Sequence, residues 1–302
     1  MDTADTVGGV NLAKTAKMTN KPKAKKDLIS VLLNLLVKLS AFLTVGAVLL
    51  IIGYIVMKGA PNLTADLFAW EYTSDNGSLM PALVNTVFMI VIALIISAPI
   101  GIAAAIFLVE YSSQGSRLVK VIRLTAETLS GIPSIVYGLF GLLFFVTALK
   151  WGMSLIAGAC TVALMILPLI MRTTEEALLS VPKAYREGSF GLGAGKLRTI
   201  FRIVLPSAVP GIMAGIILAI GRIVGETAAL MYTAGTIAEA AGGKDFLFDS
   251  TRTLAVHMYN LSCEGLFIDK AYATAFILLI VVIAINMLSG FIVKKFSRDG
   301  GK

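Results

Sequence analysis

The chain has 302 residues, 57% of them hydrophobic and 15% charged, with a mean hydropathy of +0.86. A soluble domain carries about 25% charged residues, so this composition excludes an ordinary soluble globular protein and points to an all-α, polytopic membrane protein. The net charge of +8 falls beside apolar runs, where it sets orientation, so nucleic acid is not an expected partner.

Residues 1–27 are polar and hold Lys14, Lys17, Lys21, Lys23, Lys25 and Lys26. Such a segment cannot bury a core, and residues 1–34 are expected to form a disordered basic tail. The polar lead is long, the apolar run 39–57 can span, and no small-residue cleavage site follows it; an uncleaved first span is expected. Apolar runs follow at about 35–57, 83–109, 129–149, 153–171, 208–231 and 272–293. Each approaches or exceeds the roughly 20 residues needed to cross a bilayer as a helix. Residues 35–293 therefore read as one six-span membrane domain, with a second basic tail at 294–302.

Lysine and arginine fix the expected orientation. With the N-terminus in the cytoplasm, the inner segments (the first tail with Lys38, then 110–128, 172–207 and 294–302) hold twenty of the 26 basic residues. The outer loops hold Lys58, Lys150, Lys244, Arg252 and Lys270, while Arg222 lies inside a span. Both termini are expected inside, and Trp70 and Trp151 fall near the outer ends of spans, as interfacial tryptophans do.

Cys160, Cys263 and the single histidine His257, read as a loop residue, show no metal-ligand spacing. No metal or cofactor is expected. There is no G-x-x-x-x-G-K-[ST] loop, so the chain is not expected to bind ATP or to be an enzyme. No internal repeat is detected, which disfavours an inverted-repeat secondary transporter.

Ser130-Gly131-Ile132-Pro133-Ser134-Ile135-Val136-Tyr137-Gly138 opens the third span. Proline with a neighbouring serine suits a helix start, and a helix N-terminus can hold an anion. Pro133 and Ser134 are thus candidates either to line the inner end of a path or simply to begin a helix.

The inner segment 172–207 is too long and polar for a mere turn. A helix is expected over 174–186, interrupted near Pro182, and 187–190 continues it. A break follows at Gly191 and Gly193, where glycine tolerates left-handed backbone. A second helix is expected over 195–204, stopping before Pro206 because the residue preceding proline is pushed out of helical geometry. Lys183, Arg186, Lys196 and Arg198 are free to meet a partner or lipid headgroups.

The fifth span contains Gly221-Arg222-Ile223-Val224-Gly225-Glu226-Thr227. Arg222 and Glu226 are expected to share one helical face. A charge at mid-membrane costs about 2.5–3.5 kcal/mol on insertion scales, so both should face a cavity, a bundle interior or each other. Gly211 with Gly215, and Gly221 with Gly225, have the spacing that lets helices approach closely. Arginine suits phosphate because its planar fork donates two parallel hydrogen bonds. Glu226, beside Thr227, could pair with Arg222 or accept from a protonated phosphate oxygen. A structural ion pair is the alternative.

The pattern Glu187-Gly188-Ser189, three residues, Gly193, nine residues, then Ile203-Val204-Leu205-Pro206 resembles the Glu-Ala-Ala loop of ABC importer permeases, with Gly188 and Ser189 replacing two alanines. With the blocks 131–138 and 221–227 and the stretch 254–275, residues 35–293 resemble the A-type (PstA-type) permease subunits of bacterial phosphate ABC importers. The resemblance implies the type I permease fold in the bacterial inner membrane. It also implies that Glu187 lies at the docking surface and Gly193 permits the bend. The implied partners are a sister PstC-type permease, PstB-type ATPase subunits at the cytoplasmic face, a PstS-type phosphate-binding protein received by the long outer loops (232–271 above all), and inorganic phosphate as substrate. In that family ATP closes the ATPase pair, the loop moves as a rigid lever, and access switches sides. An ABC permease for another oxyanion or small solute, a secondary transporter and an integral membrane enzyme are the competing readings.

Overall fold

The computed structural model describes residues 28–73, 75–112, 116–242, 245–265 and 267–299, which are mainly helical, with no strand among them. The chain divides into two units, Met1–Gly53 and Tyr54–Lys302. Among the described residues, five helices are long and apolar enough to cross a membrane, and a bent pair would make a sixth.

The first unit is described from residue 28, as most of helix α1 (Leu28–Gly59). Its side chains from Ile29 onward are largely exposed, as suits an apolar helix bathed in lipid. The disordered tail expected over 1–34 is corrected at its end: 28–34 is helical, because Leu-Ile-Ser-Val-Leu-Leu-Asn holds no breaker and helix formation continues outward from the apolar run. Residues 1–27 lie outside the described residues.

The second unit is built around α5 (Leu155–Ser180), whose spanning window is 67% buried, against 28% or less for the other spans. Ser154 starts it by accepting from the Ala157 N–H at 3.4 Å, a side-chain cap for an otherwise unsatisfied donor. Met89 and Ala93 of α2 (Met80–Ile106) join Leu155, Val162, Met165, Ile166 and Ile170 of α5 in the main core. Ala219 and Ile223 of α8 (Leu205–Val224) close that core from another side. A second cluster joins Ala105, Met171, Leu178, Val204 and Ile212 at the other end of the same helices.

Several expected boundaries move. The run at 129–149 is two helices, α3 (Arg117–Ser130) and α4 (Ser134–Gly141, continued by a π-helical turn Leu142–Ala148), bent by 99° at Gly131-Ile132-Pro133. Pro133 lacks an N–H and disfavours helix in the residue before it, so it breaks the run and caps α4 instead of sitting inside it. The fourth span continues nine residues past 171, to Ser180. Its apolar stripe continues too, because Met171, Thr174, Ala177 and Leu178 are all buried. The fifth span begins with α7 (Lys196–Thr199), passes through a π-helical turn Ile200–Val204 into α8, and stops at Val224. The second loop helix therefore does not end before Pro206. The proline sits in the first turn of α8, where a missing N–H costs least, and the π-helical turn carries the chain into it.

The segment expected as an outer loop, 232–271, is folded rather than open. After α9 (Ala228–Thr233) the chain packs back, and α10 (Leu254–Glu264) buries Leu254, Ala255, Val256, His257 and Leu261. Arg252, expected as an outer-loop cation, is only 4% exposed and lies with its guanidinium 4.4 Å over the Tyr72 ring. Helix α11 (Ile268–Asp299) runs to Asp299, so the tail expected at 294–302 is helical to 299, and 300–302 lie outside the described residues.

Candidate functional site

Two features stand out, one at each side of the α5 C-terminal half. The first is the hairpin between α5 and α8. Pro182 caps α6 (Lys183–Gly191), and the chain turns at Gly193, whose φ is +81°. The Ala194 N–H donates to Ser189 O at 3.1 Å and the Gly193 N–H to Phe190 O at 2.9 Å. That is the paired helix-ending pattern that requires a left-handed residue, which glycine adopts without steric cost. Ser189 is buried, and its hydroxyl meets that of Thr199 at 2.8 Å, pinning α6 to α7. Arg186, expected to meet a partner, is used internally. Its guanidinium donates to Glu110 Oε1 at 2.7 and 3.0 Å, to Val181 O at 3.0 Å and to Leu178 O at 2.9 Å.

What the hairpin presents outward is different. Glu187 and Gly188 are exposed, Leu192 is 91% exposed, and Tyr185, Phe190 and Leu197 are exposed beside it. Between the two arms lies a hollow of about 610 Å³ walled by Tyr185, Gly188, Leu192, Gly193, Arg198 and Arg202. No atom approaches within 4 Å of a Cβ built on Gly188 or Gly193, so a partner can come close to the backbone. Leu205 and Pro206 do not face this hollow; they begin the α8 span. The pinned turn thus leaves four apolar side chains, Tyr185, Phe190, Leu192 and Leu197, uncovered by the rest of the described residues.

The second feature is a cavity of about 620 Å³ between α3, α5 and the end of α8. Arg123 and Glu127 line it from α3, Arg172, Glu175 and Glu176 from α5, and Arg222 from α8. Arg123 is ion-paired with the largely buried Glu175, and Arg172 pairs with Glu176 at 3.3 Å along the exposed helix surface. Arg222, half-buried, has no carboxylate within 4 Å among the described residues. Its fork is thus free of an ion pair among the described residues, as is Glu127 on the same wall, and the lining sets three arginines against three glutamates.

Glu226 is not its partner. Helix α8 ends at Val224 with Gly225 as its cap, so Arg222 and Glu226 do not share a helical face. Glu226 is buried, and its Oε1 accepts from the Ala229 N–H at 3.1 Å, capping α9. Glu226 and Thr227 do not line the cavity, and neither do Pro133 and Ser134. The glycines divide likewise. A Cβ on Gly215 would collide with Thr173, and one on Gly211 would sit 2.6 Å from Ala177 Cβ, so this pair lets α8 lie against α5. Gly221 has open space and Gly225 meets only the Gly221 carbonyl at 3.8 Å, so the second pair is not a packing pair.

Sequence reasoning missed Arg123, Arg172 and Glu175 in the cavity wall. A signal was present: the apolar spacing Met171, Thr174, Ala177, Leu178 continues the helical stripe and carries Arg172 and Glu175 on helix rather than in loop.

The family model for "Binding-protein-dependent transport system inner membrane component" matches residues 97–299. A relative in Bacillus subtilis, "Probable ABC transporter permease protein YqgI", is 33% identical over 265 residues, covering 82% of this chain and 90% of that protein. "Phosphate transport system permease protein PstA 1" of Mycobacterium tuberculosis is 34% identical over 218 residues, covering 72% of this chain and 70% of that protein. Among solved structures, a bacterial alginate ABC transporter in complex with alginate pentasaccharide-bound periplasmic protein matches with a TM-score of 0.62 at 17% identity, covering 89% of this chain and 94% of that one. That likeness concerns the fold, and the all-α architecture is the type I permease fold expected from the sequence. Fold, loop and family model agree: this chain belongs to the binding-protein-dependent transport system inner membrane components, the permease subunits of ABC importers.

Proposed function

We propose that the chain is the A-type permease subunit of an importer that moves inorganic phosphate across the bacterial inner membrane. The observation that carries the reading is Arg222, a half-buried guanidinium without a carboxylate partner among the described residues, in a spanning helix and facing a cavity between α3, α5 and α8. Intramembrane ionisable groups mark substrate paths by default. A dianionic phosphate offers two oxygens to the guanidinium fork. The relatives named as phosphate transport permeases support this substrate over other oxyanions.

The hairpin docks an ATPase subunit, with Glu187, Gly188, Leu192 and the hollow beside Gly193 as its contact face. Ser189 acts from inside as a pin, and Leu205 and Pro206 carry the movement into α8. Both termini lie in the cytoplasm, a reading supported by the lysine and arginine asymmetry. A second permease subunit, two ATPase subunits and a phosphate-binding protein complete the assembly. The chain supplies the path, and the ATPase partner supplies hydrolysis. Pro133 and Ser134 shape the bend between α3 and α4.

Radiolabelled phosphate uptake in cells lacking the chain, with and without its return, tests the substrate. Restored, energy-dependent uptake insensitive to sulfate supports phosphate. Uptake restored for sulfate instead would assign another oxyanion to the same cavity.

A further inference from the structure

The two arms of the hairpin hold a third element between them. Helix α2 and the π-helical turn Phe107–Tyr111 after it form one 32-residue span, Met80–Tyr111. At its end, Glu110 receives two hydrogen bonds from Arg186 of α6, at 2.7 and 3.0 Å. The next residue, Tyr111, lies under Lys196 of α7, whose Nζ is 4.8 Å from the ring centroid. The Glu110–Arg186 pair is well shielded, with side-chain exposures of 9% and 17%, and Arg186 is itself fixed by the carbonyls of Leu178 and Val181. A charge pair so held resists displacement far better than an exposed one.

The opposite end of α2 is clamped as tightly. The Asn85 side chain donates to Glu239 O at 2.8 Å and Arg252 O at 3.3 Å, and accepts from the Ala241 N–H at 2.8 Å. Thr86 Oγ1 accepts from the Leu254 N–H at 2.9 Å. Four backbone positions of the folded segment after α9 thus hang on two adjacent α2 residues. Thr86 and Glu110 are separated by a helical rise of about 36 Å, roughly the thickness of a bilayer with part of its headgroups.

We infer that α2 is a connecting rod. Glu110 and Tyr111 receive the hairpin's movement, and Asn85 with Thr86 deliver it to residues 239–241 and 252–254. The inference rests on the docking reading of the hairpin. Glu110 and Asn85 are positioning residues: neither lines the Arg222 cavity. Both ends bias one continuous helical element, whose ladder loses a hydrogen bond at Pro99 and widens to a π-helical turn at Phe107–Tyr111, and a shared element that both ends bias is the physical requirement for coupling at this distance.

The test uses the whole transporter with its ATPase subunits. Glu110→Ala, Asn85→Ala and the double variant are compared for ATPase co-purification, ATP hydrolysis and radiolabelled inorganic phosphate uptake per permease. Each single variant is expected to keep the ATPase bound and hydrolysing while uptake falls roughly tenfold, a coupling of ordinary size. The double variant is expected to be no worse than the worse single, because independent sites would combine their losses. Multiplied losses, or uptake that falls only with the amount of permease in the membrane, would overturn the rod. If either variant fails to accumulate, Lys196→Ala and Thr86→Val carry the same expectation at the same joints. An ATPase that does not co-purify with the unaltered chain would instead defeat the docking reading, and the two failures are distinguishable.

Discussion

Glu226 Oε1 accepts a hydrogen bond from the Ala229 N–H at 3.1 Å, so the acid four residues beyond Arg222 caps a new helix instead of neutralising the arginine. The two residues therefore separate by function. Arg222→Gln is expected to lower phosphate uptake by at least about tenfold, since a charged hydrogen bond contributes roughly 1.5–3 kcal/mol. Glu226→Gln keeps an acceptor for Ala229 and should transport nearly normally. Glu226→Ala should cost about 1 kcal/mol of stability through the lost cap. Uptake and thermal unfolding in detergent, measured on the three variants, separate these effects; equal loss of uptake in Arg222→Gln and Glu226→Gln would return both to one site.

The glycines of α8 make a sharper contrast. Gly215 has no room for a side chain against Thr173, while Gly221 has nothing within 4 Å. Gly215→Val should destabilise the α5–α8 contact by about 1–3 kcal/mol or more, the cost of overpacking. Gly221→Ala should be neutral or slightly stabilising, as alanine favours helix. Thermal unfolding of the two variants checks this, and a tolerated Gly215→Val would contradict the close approach.

Gly193 holds φ +81° in open space, so a methyl there strains only the backbone. Gly193→Ala should cost about 1–2 kcal/mol locally and weaken ATPase co-purification several-fold. Glu187→Lys, on the exposed face, should weaken it without lowering the permease's own stability. Wild-type recovery of the ATPase with both variants would remove the hairpin from the docking role.

His257 is fully buried, and burial, then the Arg252 charge beside it, push its pKa down to about 3 from 6.5. The unfolded chain therefore binds a proton that the folded chain refuses between those two values. Stability is complete above about pH 6.5 and falls as pH drops toward 3, at up to about 1.4 kcal/mol per pH unit from this group. The loss between pH 6.5 and 5 should be visible in the unfolding temperature and should be reduced in His257→Gln. A pH slope unchanged by that substitution would contradict the assignment.

Membrane class, the helical hairpin and the close approach at Gly211 and Gly215 were legible because each rests on local chemistry: apolar length, a glycine where φ must be positive, small residues at helical spacing. The breaks were less legible. Helix α8 ends at Val224, next to the Glu226–Ala229 cap of α9, and Pro206 enters it through a π-helical turn; both are local, but residue type and spacing alone allow a continued helix at 226 and a stop at 206 equally well. Arg186 read as a surface cation because its partner, Glu110, lies 76 residues away. Arg252 and His257 read as loop residues because their burial comes from tertiary packing alone.

In the proposed transporter the Arg222 cavity passes phosphate. The most direct measurement is radiolabelled phosphate uptake, with excess sulfate as competitor, in cells that lack the chain and receive either the unaltered chain or Arg222→Gln. Energy-dependent uptake that sulfate leaves intact, present with the former and absent with the latter while both assemble with the ATPase, is the predicted result. Equal uptake with both chains would remove Arg222 from the phosphate path.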